Sequence, residues 1–346
     1  MPSPTDLRLY FRFTLLLLLL APLSSASVSP YLSPWMFTSS YVHMLGNFKI
    51  FVYNSDKRFN PKSSAESLFH ASLMNSSFVT RDPETADLFF VPLDSYLSMR
   101  SISHVVRHIR TELPYWDRTL GADHFYVSCS GIGYGSDRNL LELKKNSIQI
   151  TCFPAPEGKF VPHKDITLPP FSTSHLVELQ VPKNHSIKYL GFVNRGALKT
   201  TELIDELVKD PDFLVEWEMT DRLTSSKFCL FDYEGDVSWI GVAMQVGCVP
   251  VVITSRPIQD LPLIDVLRWQ EIVMFIGRSQ VGVMELKQAL GSVNEDLYRK
   301  MQGVCMTASR HFMWNKPAQP FDSFHLLMYQ LWLRRHTIRY ARRGWA

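Results

Sequence analysis

Apolar and polar positions alternate along this chain in two rhythms: short apolar runs closed by turn residues, and longer stretches with a 3.6-residue period. The pattern is densest from Ser226 to Ile253. Phe228, Leu230 and Phe231 make an apolar run, Asp232, Glu234, Gly235 and Asp236 make a turn, and residues 237–246 are apolar on nearly every side. A helix that is apolar nearly all round is a buried one. Asp236 or Ser238 can cap its start, and Gly247 stands where a helix end takes a left-handed residue. Val249, Val251, Val252 and Ile253 then suit a strand covered on both faces, with Pro250 near its beginning. Strand, acidic glycine turn, buried helix and strand form a βαβ unit. Ligands of open α/β sheets sit beyond the carboxyl ends of the strands, near helix N-termini that favour phosphate.

The same alternation predicts strands over 48–53, 86–93, 125–127, 147–152, 189–193 and 272–276. It predicts helices over 63–73, 102–113, 200–209, 284–290, 295–306 and 322–335, and another ending near Trp269. Strands and helices in turn, joined by short loops, imply parallel sheets. A length of 346 residues exceeds what one core organises, so two domains are expected. The composition shifts place them at 46–170 and 187–320, with a linker at 171–186 and a helix with a basic tail at 321–346. Residues 27–45, rich in Ser, Pro and Tyr, read as a stem.

Composition narrows the picture. Hydrophobic residues are 46%, as in packed globular proteins, and a net charge of +3 is too small to argue for nucleic acid. Arg8 and Arg12 precede an apolar run at 13–21 that ends in Pro22 and small residues. Residues 1–26 thus have the layout of a signal peptide or a short signal anchor, shorter than the ~20 residues a spanning helix needs. Either reading places the remainder in a lumenal or extracellular compartment, and the sequons at Asn75 and Asn184 agree. Of five cysteines, Cys129 and Cys152 flank one loop-rich segment and are the expected disulfide. Cys229 and Cys248 are either buried thiols or a second pair, and one cysteine is left over.

Candidate chemistry is scattered. Asp94 follows the strand at 86–93, where it is either a ligand group or a turn aspartate. His104 and His108 have the i, i+4 spacing of metal ligands, but no HExxH accompanies them and a solvated helix face is the simpler reading. Gly131, Gly133 and Gly135 resemble a phosphate loop with no evident helix behind it, so they read as a flexible loop. Asp210-Pro211-Asp212 spells DxD, but its proline and helix-end position suit a turn. No metal site and no cofactor are expected. Asp123 and His124 lie at the mouth of a strand beside Tyr115 and Trp116; either can serve as a general base or ligand contact, or Asp123 fixes the loop and His124 is a hydrogen-bonded structural residue. The basic tail reads as a solvated helix end.

Several phrases carry a resemblance: FKIFVY with DPETADLFFVPL, LPYWDRTLGADHFYVSC, FVPHKDI, SKFCL with GCVPVVI, and HFMW with the final helix. Together they are similar to exostosin-like glycosyltransferases, family 47, in the plant branch, and they cover residues 45–340. The resemblance implies an α/β fold of GT-B type, two Rossmann-like domains facing a central cleft. It implies inverting transfer from a UDP-sugar to a cell-wall polysaccharide or glycan in the Golgi, by a type II membrane protein or one released into the secretory lumen, without a DxD metal. By the same resemblance Gly191, Asn194, Arg195, Glu234, Gly235, Ser238 and Gly247 would line the donor site, and Asp123 or His124 would face the acceptor. One departure stands out. Where the family commonly has an Arg for the donor phosphates and a Glu for the ribose, this chain has Trp239 and Val242. An alternative follows from that: a non-catalytic scaffold or glycan-binding partner of an active Golgi glycosyltransferase.

Overall fold

The computed structural model describes residues 29–53, 63–171, 186–199, 201–218, 221–278 and 282–343. The expected targeting segment at 1–26, the linker at 172–185 and the sequon residue Asn184 lie outside them. Strands β1 (Ile50–Val52), β2 (Val79–Thr80), β3 (Leu88–Phe90), β4 (His124–Val127), β5 (Ile148–Cys152) and β6 (Ile166–Leu168) form a parallel sheet in the order β2-β1-β3-β4-β5-β6. Strands β7 (Tyr189–Asn194), β8 (Phe213–Glu216), β9 (Ser226–Asp232), β10 (Val249–Thr254) and β11 (Met274–Gly277) form a second parallel sheet, β11-β10-β9-β7-β8. Short β2, β6 and β8 escape the pattern reading because two to four residues give too little period to detect.

Helices α1 (Pro34–Asn47), α2 (Ser64–Met74), α3 (Met99–Glu112) and α4 (Arg138–Asn146) serve the first sheet. Helices α5 (Thr201–Leu207), α6 (Ile240–Gln245), α7 (Trp269–Ile272), α8 (Val283–Gly291) and α9 (Glu295–Ser309) serve the second, and α10 (Ser323–Arg343) ends the described chain. Ser63 and Glu66 exchange the two bonds of a capping box at α2. The glycine loop at 131–135 does lead into a helix: Asp137 accepts from Asn139 and Leu140 N–H groups and starts α4. The central buried helix is shorter than expected. Asp236 accepts from Ser238 N–H at 2.8 Å in a turn ahead of the helix, so the caps expected at Asp236 and Ser238 close a turn instead, and α6 begins only at Ile240. Gly247 does take the left-handed conformation, φ 80°.

The expected stem is part of the fold. Phe37, Tyr41 and Met44 put the apolar side of α1 into the core. There Tyr41 stacks on Phe321 at 4.5 Å, and its hydroxyl accepts from Phe321 N–H at 2.9 Å. Trp332 of α10 donates its indole N–H to Ser40. Ahead of α1, Tyr31 hydrogen-bonds His311, and Leu32 N–H donates to Val266 O. The Ser- and Pro-rich composition concealed this, because aromatic residues at 31, 37 and 41 supply the buried surface.

Helix α10 leaves the second domain and packs against α1, α2 and β6. The domains also meet at the carboxyl ends of their strands. Asp260, beyond β10, accepts from Tyr233 hydroxyl and from Ala155 N–H, and its carbonyl accepts from Thr167 hydroxyl. Phe153 packs on Tyr233 across the same seam. Two Rossmann-like α/β domains joined in this way are a fold of GT-B type. Cys129 is bonded to Cys152 and Cys229 to Cys248, leaving Cys305 as a buried thiol. Truncating the fully buried Tyr41 to Ala removes the anchor of α1. It is expected to lower the unfolding free energy by about 3 kcal/mol in denaturant titration; a change within about 0.5 kcal/mol, as at a surface position, contradicts the packed arrangement.

Candidate functional site

The carboxyl edge of the second sheet gathers charge in strand order. Arg278 follows β11 and Arg256 follows β10. Asp232 ends β9 and Glu234 follows it, Asn194 ends β7 and Arg195 and Lys199 follow it, and Trp217 follows β8. Buried Asp232 is the centre: its carboxylate accepts from the N–H groups of Lys199 and Glu234 and from the Arg278 guanidinium. Strands lie about 4.8 Å apart, so Arg278 crosses the end of β10, about 10 Å in all, to reach its partner on β9. Glu234 accepts from Ser255 hydroxyl at 2.7 Å and lies 4.0 Å from Arg278. The Ser255 hydrogen bond, followed by the charges of Arg278, Lys199 and Arg256, holds the Glu234 carboxyl below its ordinary pKa. Arg256 lies over the Tyr233 ring at 5.2 Å, against the domain seam.

The structure gathers some of the expected donor residues here and sets others apart. Asn194, Arg195, Glu234, Gly235 and Ser238 belong to these loops. Gly235 has no alternative, since a Cβ there would stand 1.9 Å from Ala197 O. Arg195 lies toward the β8 side, over Trp217 at 5.0 Å and 3.5 Å from Asp205. Gly191 lies within β7, where a Cβ would meet the Phe213 ring at 2.8 Å, which makes it a packing glycine. Gly247 lies between α6 and the amino end of β10, on the opposite edge of the sheet from Glu234. Helix α6, with six residues, is also too short to offer a substantial dipole at its start.

Trp239 and Val242 are both core residues, 0% and 3% exposed. The Trp239 ring packs on Phe231 at 4.0 Å and edge-on to Phe192 at 5.7 Å. An Arg in this place would put a charge among aromatic rings, so the departure from the family pattern is built into the packing. The residues that the sequence reading gave no role are Asp232, Arg256 and Arg278. Their one available signal was position, each standing at the end of a strand or just after it.

In the first domain Asp123 and His124 are fully buried, which corrects the acceptor-facing placement expected for them. His124 begins β4 and Asp123 precedes it, at the amino edge of the sheet, with the His124 ring against Trp116 and Phe89. His124 Nδ1–H donates to Asp123 at 2.8 Å, and His124 Nε2 accepts from Tyr53 hydroxyl at 2.8 Å. Thr119 hydroxyl and Arg118 Nε–H donate to the same aspartate at 2.6 and 3.0 Å. Burial opposes ionisation of Asp123, but these donors outweigh it and hold its pKa below the usual carboxylate value. Burial keeps His124 neutral, with its pKa lowered.

Tyr53 is the member of this network that reaches a cavity of about 920 Å³, together with Phe51, Asp94, His104, His108 and Tyr115. Asp94 accepts from Tyr96 N–H in a turn while lining this cavity. No group of three or more His, Cys, Asp or Glu able to hold a metal occurs among the described residues. Asp210 and Asp212 pair with Lys287, as a turn at a helix end allows. Asn75 is exposed at the end of α2.

Residues 44–292 match the model of the exostosin GT47 domain. The chain therefore belongs to the exostosin family of glycosyltransferases. It is 28% identical over 355 residues to a probable glycosyltransferase of Arabidopsis thaliana, covering 89% of this chain and 66% of that protein. It is 25% identical over 345 residues to the probable beta-1,4-xylosyltransferase IRX10 of the same plant, covering 82% of this chain and 81% of that protein. A probable glucuronosyltransferase of Oryza sativa subsp. japonica is also 25% identical, with the same coverage. Among solved structures, Acinetobacter baumannii MurG is similar at 11% identity and a TM-score of 0.33, over 80% of this chain and 82% of that one.

The buried histidines make stability depend on pH. Burial, and then the charge of Arg310, lower the His311 pKa from 6.5 to about 3, and His124 shifts in the same direction. A depressed folded-state pKa means that the unfolded chain takes up the proton first, so stability is full above pH 6.5 and is lost as pH falls toward the folded value. Between pH 8 and pH 5, His311 alone is expected to remove about 2 kcal/mol. Denaturant titrations across this range check it, and a flat profile would refute the neutral, buried assignment.

Proposed function

We propose that this chain transfers a sugar from a UDP-sugar donor to a cell-wall polysaccharide or glycan, with inversion, in the Golgi lumen. The observation that carries the reading is the row of Arg and Lys side chains around Asp232 and Glu234 at the carboxyl edge of the second sheet. Cations there suit a diphosphate, and the exposed carboxylate of Glu234 and the part-buried amide of Asn194 suit ribose and sugar hydroxyls. The names of the relatives from Arabidopsis and rice, a xylosyltransferase and a glucuronosyltransferase among them, support a sugar donor. The first-domain cavity, with its Phe51, Tyr53 and Tyr115 rings, suits a glycan acceptor. Asp123 and His124 serve it as positioning groups by fixing Tyr53 in its wall. Direct displacement needs a base at the acceptor hydroxyl and no metal. The charge run and apolar stretch at 1–26 and the sequons support entry into the secretory pathway, as a type II protein or after cleavage.

A second reading is favoured by one observation, the aromatic packing of Trp239 where the family carries a phosphate-binding Arg. In that reading the chain is a non-catalytic partner of another glycosyltransferase. Calorimetric titration of the lumenal protein with UDP separates the two. Micromolar binding is the expected result. No heat of binding at millimolar UDP would overturn the donor site and leave the scaffold reading.

A further inference from the structure

The donor reading leaves a question of charge. The resemblance assigns the diphosphate to an Arg on the buried helix and the ribose to a Glu one turn later. This chain has core residues in both places: Trp239 is closed in by Phe231 and Phe192, and Val242 is buried beside it. A diphosphate brought to this edge of the sheet must find its compensating cations elsewhere.

The loops hold them. Arg278 is not a wandering surface side chain, because its guanidinium is fixed by Asp232, which is 1% exposed and itself held by two backbone N–H groups. Arg256 is held differently, 5.2 Å over the ring of Tyr233, whose hydroxyl is bonded to Asp260 at the domain seam. Both arginines come from strands adjacent to β9 or next but one, on the side opposite Arg195. Glu234 lies between them and Lys199, tied to Ser255 and still 40% exposed. A side chain whose rotamers are already restricted loses less entropy when it takes up a ligand. A guanidinium presents its N–H donors in a planar fork that matches phosphate oxygens.

We propose that Arg256 and Arg278 bind the donor diphosphate in place of the missing helix arginine, and that Glu234 holds the ribose in place of the missing helix glutamate. The proposal rests on the UDP-sugar reading above and moves the recognising charges from the helix to the strand ends. The nucleotide then lies along the β9–β11 side of the edge, with its phosphates beside the Tyr233 seam and toward the first domain.

The test is isothermal titration of the lumenal protein with UDP and with uridine, which lacks the phosphates. Arg256→Gln and Arg278→Gln are each expected to weaken UDP by about tenfold or more and to leave uridine within about twofold, as lost charge-assisted bonds would. Glu234→Gln is expected to weaken both ligands. Arg256→Lys and Arg278→Lys keep the charge and should recover part of the UDP affinity. They also guard against misfolding in Arg278→Gln, which strips Asp232 of its partner. Wild-type UDP binding with both Gln variants unchanged would overturn the proposal and leave the donor reading standing. Equal losses for UDP and uridine in the arginine variants would also overturn it, since phosphate contact would not be the cause. Failure of the wild-type protein to bind UDP would overturn the donor reading and this inference with it.

Discussion

The molecule depends on one buried carboxylate at the seam. Asp260 is 4% exposed and gathers Tyr233 hydroxyl, Ala155 N–H and, through its own carbonyl, Thr167 hydroxyl. A carboxylate taken from water must be repaid by donors, and these come from the loops beyond β5 and β9, while β6 bonds the carbonyl of the same residue. Satisfying that one group therefore sets the carboxyl ends of the two sheets against each other. Tyr233, held this way, in turn supports Arg256. The placement of the charged edge and the joining of the domains are one arrangement.

Charge is used differently in the two halves. In the first domain Asp123, His124 and Tyr53 form a closed chain of hydrogen bonds beneath aromatic rings, and the water-excluded setting strengthens each link. Such a chain orders a wall. In the second domain Asp232 is equally buried, but its charged partner Arg278 is part-exposed, and the backbone N–H it takes from Lys199 leaves that side chain exposed. That carboxylate anchors a cation at a surface where an anion can arrive.

Much of the fold was legible because long β-branched and aromatic runs leave little choice. The elements β9, β10 and α9 follow the apolar pattern closely, and the left-handed Gly247 was visible from its place after the helix. Elements decided by tertiary contact were not legible. The α1 segment looks like a stem because its few buried aromatics are diluted by Ser and Pro, and α4 shows only Leu140 and Leu143 as apolar anchors. The site was legible in its chemistry and less so in its geometry. Sequence could mark Asp123 and His124 as candidate groups but not their burial, which depends on Trp116 and Phe89 closing over them. Arg278 was invisible as a site residue because its partner Asp232 is 46 positions away.

The packing of α1 against α10 also bears on how the protein comes to be folded. Tyr31 meets His311 and Tyr41 meets Phe321, each pair 280 positions apart. Contacts of such separation carry a high loop-closure cost and form late. A chain made from its N-terminus presents Phe37, Tyr41 and Met44 long before their partners exist, so the first domain remains with an open apolar face until residues 311–332 have been made. Its maturation is thus tied to completion of the second domain, and a chain that stops before residue 321 has a first domain that lacks its own lid.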